Sequence, residues 1–140
     1  MSGFTLSGGL SFSGGFTFTE GVPNNTAGWF GGGYNPSRTS TVNRITFATD
    51  TATASIRGPL SSVRNDLAAA GNFTDGWFGG GNGPTSTVDR ITYATDTATA
   101  SVRGPLSIAR YLLAAAGNTT DAWFGGGRGI VSTVDRITYA

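Results

Sequence analysis

Polar and apolar residues alternate in short stretches, each closed by glycine, proline or a Thr/Asp turn. Between Thr87 and Ala94, residues Asp89, Ile91 and Tyr93 fall on one side and Val88, Arg90 and Thr92 on the other, the period of a β-strand. Upstream, Leu67–Gly71 reads as a short strand of small residues, and Asn72–Asp75 as the turn after it. Gly76–Phe78 forms a second strand closed by Gly79–Gly81. Downstream, Thr95–Thr97 turns around Asp96, and Ala98–Arg103 supplies a fourth strand ended by Gly104-Pro105. Leu67–Ala70 also fits one helical turn, but the run is short and flanked by turn signals. Apolar alternation marks the N-terminus too, at Phe4, Leu6, Leu10, Phe12, Phe16 and Phe18, in a segment that echoes itself as GFTLS, GGLSFS and GGFTFTE.

The strand pattern recurs. WFGGG stands at Trp29–Gly33, Trp77–Gly81 and Trp123–Gly127, spaced 48 and then 46 residues apart. The two extra residues fall between Tyr34 and Thr41; Val42, Val88 and Val134 are in constant register. Asn43–Asn72 and Asp89–Asn118 agree at 23 of 30 positions, and the changes include Phe47 to Tyr93 and Ile56 to Val102. Four strands in about 46 residues is the size of a propeller blade. The chain divides into a Gly-rich N-terminal β segment (1–27) and three units (28–63, 64–109 and 110–140).

Composition narrows the chemistry. The chain has no Cys, no His and, since all nine basic residues are Arg, no Lys. Disulfides, the usual zinc ligand sets, Cys or His catalysis, lysine Schiff bases and phosphate-loop lysines are thereby excluded. A net charge of +1 gives little attraction to nucleic acid. Apolar runs fall far short of the roughly 20 residues that span a bilayer, so no membrane insertion is expected. The N-terminus shows no basic-then-apolar leader, so no secretory signal is expected. No cofactor is expected.

The unit resembles a kelch repeat, the blade of kelch-type β-propellers. That family's pattern runs Arg, a short apolar strand, a turn, a strand ending in Gly-Gly, then Tyr, Trp, and Pro before the next Arg. Here Arg64, Gly79-Gly80, Tyr93, Pro105 and Arg110 take those places, and Arg110, Gly125-Gly126 and Tyr139 repeat them. The first unit has Gly31-Gly32, Phe47 and Pro59. The resemblance covers roughly residues 28–140. It departs where the family's Trp falls on Ala54 and Ala100. The WFGGG, TVDRITYA and RGPLS phrases also resemble repeats of marine and cyanobacterial phage structural proteins. The implied fold class is all-β, about three kelch-like blades per chain.

Three blades fall short of the roughly 4–8 that close a propeller, so a homo-oligomer is expected. Two chains of three blades, or three chains of two blades around an N-terminal trimeric stem, both give six, and the Gly-rich echo favours the trimer. The N-terminal segment either forms that stem or supplies strands to unfinished blades.

The repeated Trp29, Trp77 and Trp123 offer ring faces to sugars or pack between blades beside Gly31, Gly79 and Gly125; packing is favoured. Tyr93 and Tyr139 belong to the same structural set. The loops after the glycines differ between units, and variable loops on a repeated frame are where recognition sits. Tyr34, Asn35, Arg38, Asn82, Arg128 and Ile130 are therefore candidate ligand contacts. Recurring Asp and Arg residues read as structural ion pairs rather than one asymmetric catalytic set. No segment has dense calcium-ligand spacing. The sequons at Asn24, Asn72 and Asn118 recur in the turn before each Trp, which points to turn chemistry over glycosylation.

Together these features favour a non-enzymatic structural virion protein. It would be a phage fibre, appendage or decoration, assembled in the host cytoplasm. Its expected partners are itself, other virion proteins and host surface glycans. A free, secreted carbohydrate-binding propeller lectin is the alternative.

Overall fold

The computed structural model describes residues 26–129 and 132–139. The 1–25 part of the N-terminal segment, with its stem and blade-completing alternatives, lies outside the described residues, as do Ile130, Val131 and Ala140. Ten strands follow in order: β1 Ala27–Gly31, β2 Val42–Thr46, β3 Ser55–Arg57, β4 Ala68–Gly71, β5 Asp75–Gly79, β6 Val88–Thr92, β7 Ser101–Arg103, β8 Ala114–Gly117, β9 Asp121–Gly125 and β10 Val134–Thr138. They form three separate antiparallel sheets, β1-β2-β3, β4-β5-β6-β7 and β8-β9-β10. The architecture is all-β, and the three sheets, which are compatible with blades, are called the first, middle and third blade. The middle sheet holds all four strands of the repeat.

Register is the same in each blade. Trp29 lies opposite Arg44, Trp77 opposite Arg90, and Trp123 opposite Arg136. Two elements are shorter than the alternation implies. The third strand gives way to a single 3-10 turn at Phe47–Thr49 and Tyr93–Thr95. The fourth strand keeps only three residues, because Ala98 and Ala100 bond outside its ladder, to Thr95 O and Pro59 O. Leu67–Ala70 is no helical turn; Ala68–Gly71 pairs with β5.

The paired glycines end the second strand in the same way each time. Gly32, Gly80 and Gly126 have φ near +70°, and Gly33, Gly81 and Gly127 near +130°. Side chains rarely adopt these angles. The turn lets Gly33 N–H reach Arg64 O and Gly81 N–H reach Arg110 O, both at 2.9 Å. A Cβ on Gly80 would lie 2.7 Å from Arg110 O. The segment leaving each blade is thus fastened to the glycine turn of that blade before it enters the next.

The core lies between the sheets. A single sheet has no interior, so apolar residues on both of its faces must be covered by neighbours. Phe78 and Ile91 of the middle blade pack with Val42 and Leu60 of the first. Trp77 and Val88, on the opposite face, pack with Ala122 and Phe124 of the third. In the middle blade alternation therefore separates two buried faces rather than one buried and one wet. Ala100 is buried in the first of these clusters. Its small side chain lets the Pro59–Leu60 linker close against the blade, with Ala100 N–H donating to Pro59 O at 2.8 Å.

Candidate functional site: the seams and the loop edge

Two contacts recur at both seams, and a third is made at the first. In the first contact, the phenylalanine of WFG seats on a glycine of the preceding blade. A Cβ on Gly31 would stand 2.9 Å from Phe78 Cε1, and one on Gly79 2.8 Å from Phe124 Cε1. Glycine at these places makes the socket.

The second contact is aromatic. Trp29 stacks on Tyr93 with centroids 3.8 Å apart and planes 11° apart. Trp77 stacks on Tyr139 at 5.2 Å and 25°. The Arg90 guanidinium lies 5.7 Å from the Trp77 ring centroid, within cation–π range. These indole faces are taken by packing. The groove beside the first stack encloses about 510 Å³ and is lined by Trp29, Arg44, Thr46, Phe73, Thr92 and Tyr93 among others.

The third contact is ionic. Asp96, in the turn of the middle blade, accepts from Trp29 Nε1 at 2.9 Å and faces Arg44 and Arg57 of the first blade, each at 3.3 Å. At the next seam Trp77 Nε1 is buried without a hydrogen-bond partner among the described residues.

Within blades, the recurring Arg and Asp residues pair as structural groups. Arg64 is 1% exposed. It donates to Asp89 at 2.6 Å, Thr87 O at 3.1 Å and Phe78 O at 3.2 Å. Burial lowers the Arg64 pKa, opposed by the Asp89 charge. Arg110 repeats the arrangement with Asp135, Thr133 O and Phe124 O. A second set joins Asp75 to Thr92 and Arg90, and Asp121 to Thr138 and Arg136. Threonine hydroxyls at 138 and 120 hold the Asp121 carboxyl below its usual range, helped by Arg136.

The sequon asparagines shape turns. Asn72 Oδ1 accepts from the N–H groups of Thr74 and Asp75, both at 2.9 Å, and Asn118 Oδ1 from those of Thr120 and Asp121, both at 2.8 Å. This is the Asx geometry expected of a tight bend.

The Tyr93 hydroxyl is pushed up to about 12, first by burial and then by the charges of Asp75 and Tyr139. An unfolded tyrosine ionises near 10. Stability from this group is therefore full below pH 10 and is lost as pH rises toward 12. The melting temperature should fall over that interval, and Tyr93→Phe should flatten the fall. An identical alkaline slope in the variant would assign the loss to other groups.

The candidate contact residues lie in the loops after the paired glycines. Tyr34 is exposed and bridges Arg38, and Asn35 N–H bonds Ser37 O. Arg38 reaches the second loop, where its Nη1 would meet a Cβ on Gly83 at 2.9 Å. Asn82 Oδ1 caps Gly83 N–H at 2.7 Å. Arg128 bonds the Tyr111 hydroxyl at 2.8 Å. The structure thus brings Arg38 to the Asn82–Gly83 loop and pairs Arg128 with Tyr111.

Tyr111 lies outside the set that loop variability singles out, and the recurring Arg and Asp residues pair as Arg64–Asp89 and Arg110–Asp135. The pairs' signal was their fixed spacing of 25 residues. Among the described residues no three His, Cys, Asp or Glu gather as metal ligands, and no helix is long and apolar enough to cross a membrane. No protein-family model matches the chain, and no curated protein matches it.

Proposed function

We propose that this is a non-enzymatic structural protein that works by assembly: a virion component, in a phage fibre, appendage or decoration, built from kelch-like blades. The observation that carries this reading is where the repeated residues go. Trp29, Trp77, Tyr93, Tyr139, Gly31, Gly79 and Asp96 contact neighbouring blades, and Arg64 and Arg110 fix strands within one. Chemistry repeated at every unit and spent on packing is the signature of a solenoid or propeller frame. The chain associates with itself, a trimer being favoured over a dimer, and its loop edge touches host surface glycans.

An exposed Tyr34 beside Arg38 also supports a free lectin. Light scattering joined to a glycan array separates the two. The structural reading expects a mass well above the 14.3 kDa chain, unchanged in the double variant Tyr34→Ala/Arg38→Ala. A monomer whose sugar binding disappears in that variant is the lectin. A monomer that binds no sugar overturns both.

A further inference from the structure

Among the described residues, the first and third sheets carry the two halves of the seam. The first blade presents Phe30, Phe47 and Asp50 in the places that Phe78, Tyr93 and Asp96 occupy in the second. Phe30 is 60% exposed, against 2% for Phe78 and 0% for Phe124, which sit in glycine sockets. Phe47 and Asp50 are exposed as well. The third blade presents the matching socket. Among the described residues a Cβ on Gly125 would meet only Val134 within 4 Å, whereas Gly31 and Gly79 are covered by phenylalanine rings. Val134 is 61% exposed, while its counterparts Val42 and Val88 are fully buried. Trp123 stands half-buried beside an open Arg136 side chain.

We propose that the first blade of one copy docks on the third blade of a second copy, head to tail. Phe30 seats on Gly125 beside Val134, Phe47 stacks on Trp123, and Asp50 faces Trp123 Nε1 and Arg136. The occupant is a second copy for two reasons. The surfaces match in shape and in charge, carboxylate to guanidinium. They also continue a seam that the chain already forms twice within itself. Such an interface uses two different surfaces, so assembly closes into a ring or extends as a filament. The inference rests on the self-assembly reading and specifies its contact.

The test uses two variants of the full chain. Phe30→Asp spoils the front face at an exposed site, and Gly125→Leu fills the socket beside Val134. Sedimentation velocity on each should show association weakened about thirtyfold or more, as for the loss of a central hot spot. Mixed in equal amounts, the two variants should form a one-to-one dimer that grows no further, because each supplies the face the other lacks. Near-native circular dichroism for both variants shows that folding is not the cause.

Association of the native chain that neither variant alters overturns this interface and leaves self-assembly standing. Failure of the mixture to pair overturns head-to-tail docking and points to a symmetric contact. A native chain that stays monomeric, whether residues 1–25 or a different protein covers Phe30, overturns the interface and the assembly reading together.

Discussion

Arg64→Met should destabilise the chain by about 3–5 kcal/mol, the cost of leaving a buried charge without its partner. Asp89 is 0% exposed and would keep the Ser61 N–H, at 3.0 Å, as its donor. Urea denaturation followed by far-UV circular dichroism measures the loss. The double variant Arg64→Met/Asp89→Leu removes both charges and should regain part of it. Recovery is incomplete because the carbonyls of Phe78 and Thr87 each lose a charged donor, although Thr87 O keeps the Gly80 N–H at 3.0 Å. A loss below 1 kcal/mol in the single variant would show that Asp89 is satisfied without Arg64.

The second large effect is positional. Phe124→Ala should cost about 3–5 kcal/mol, the range for truncating a core phenylalanine that leaves a cavity. Phe30→Ala, at the same place in the repeat, should cost within about 0.5 kcal/mol of nothing in the monomer, as exposed substitutions do. The same residue type in the same local sequence differs only in whether a preceding blade covers it. Denaturation at low concentration, where association is suppressed, compares the two. Equal costs would mean that Phe30 is buried by residues outside the described chain.

The strands were legible because Thr, Val and Ile alternate between glycine turns, and the period survives in every copy. What alternation cannot say is that both sides of a strand are buried. Val88 and Asp89 point to opposite faces and both are 0% exposed. A charged residue in a core is the harder case, since Arg64 and Arg110 look like surface residues by hydrophobicity.

The copies nonetheless carried a clue to the buried pairs. Asp89 and Asp135 follow Arg64 and Arg110, each thirteen residues before a Trp. The corresponding places in the first unit hold Asn43 and Phe16, so the charge is absent from both members together. The loop residues were found by their variability, yet variability alone could not say which would meet. Arg38 crosses to Gly83 because neighbouring blades bring their loops to one edge.

The fastening of each glycine turn to the linker behind it bears on how such a chain changes length. Arg64 O closes the turn of one blade while its side chain is locked inside the next. A 46-residue segment duplicated in phase would bring its own socket, plug, stack and linker clasp, whatever residue the duplication begins at. Copy number can then rise by recombination without new surfaces having to be invented, and the added unit meets neighbours shaped like itself. A deletion out of phase is different: it severs a clasp from its arginine and strands a charge in the core. The arrangement permits growth in whole units and penalises every fraction of one.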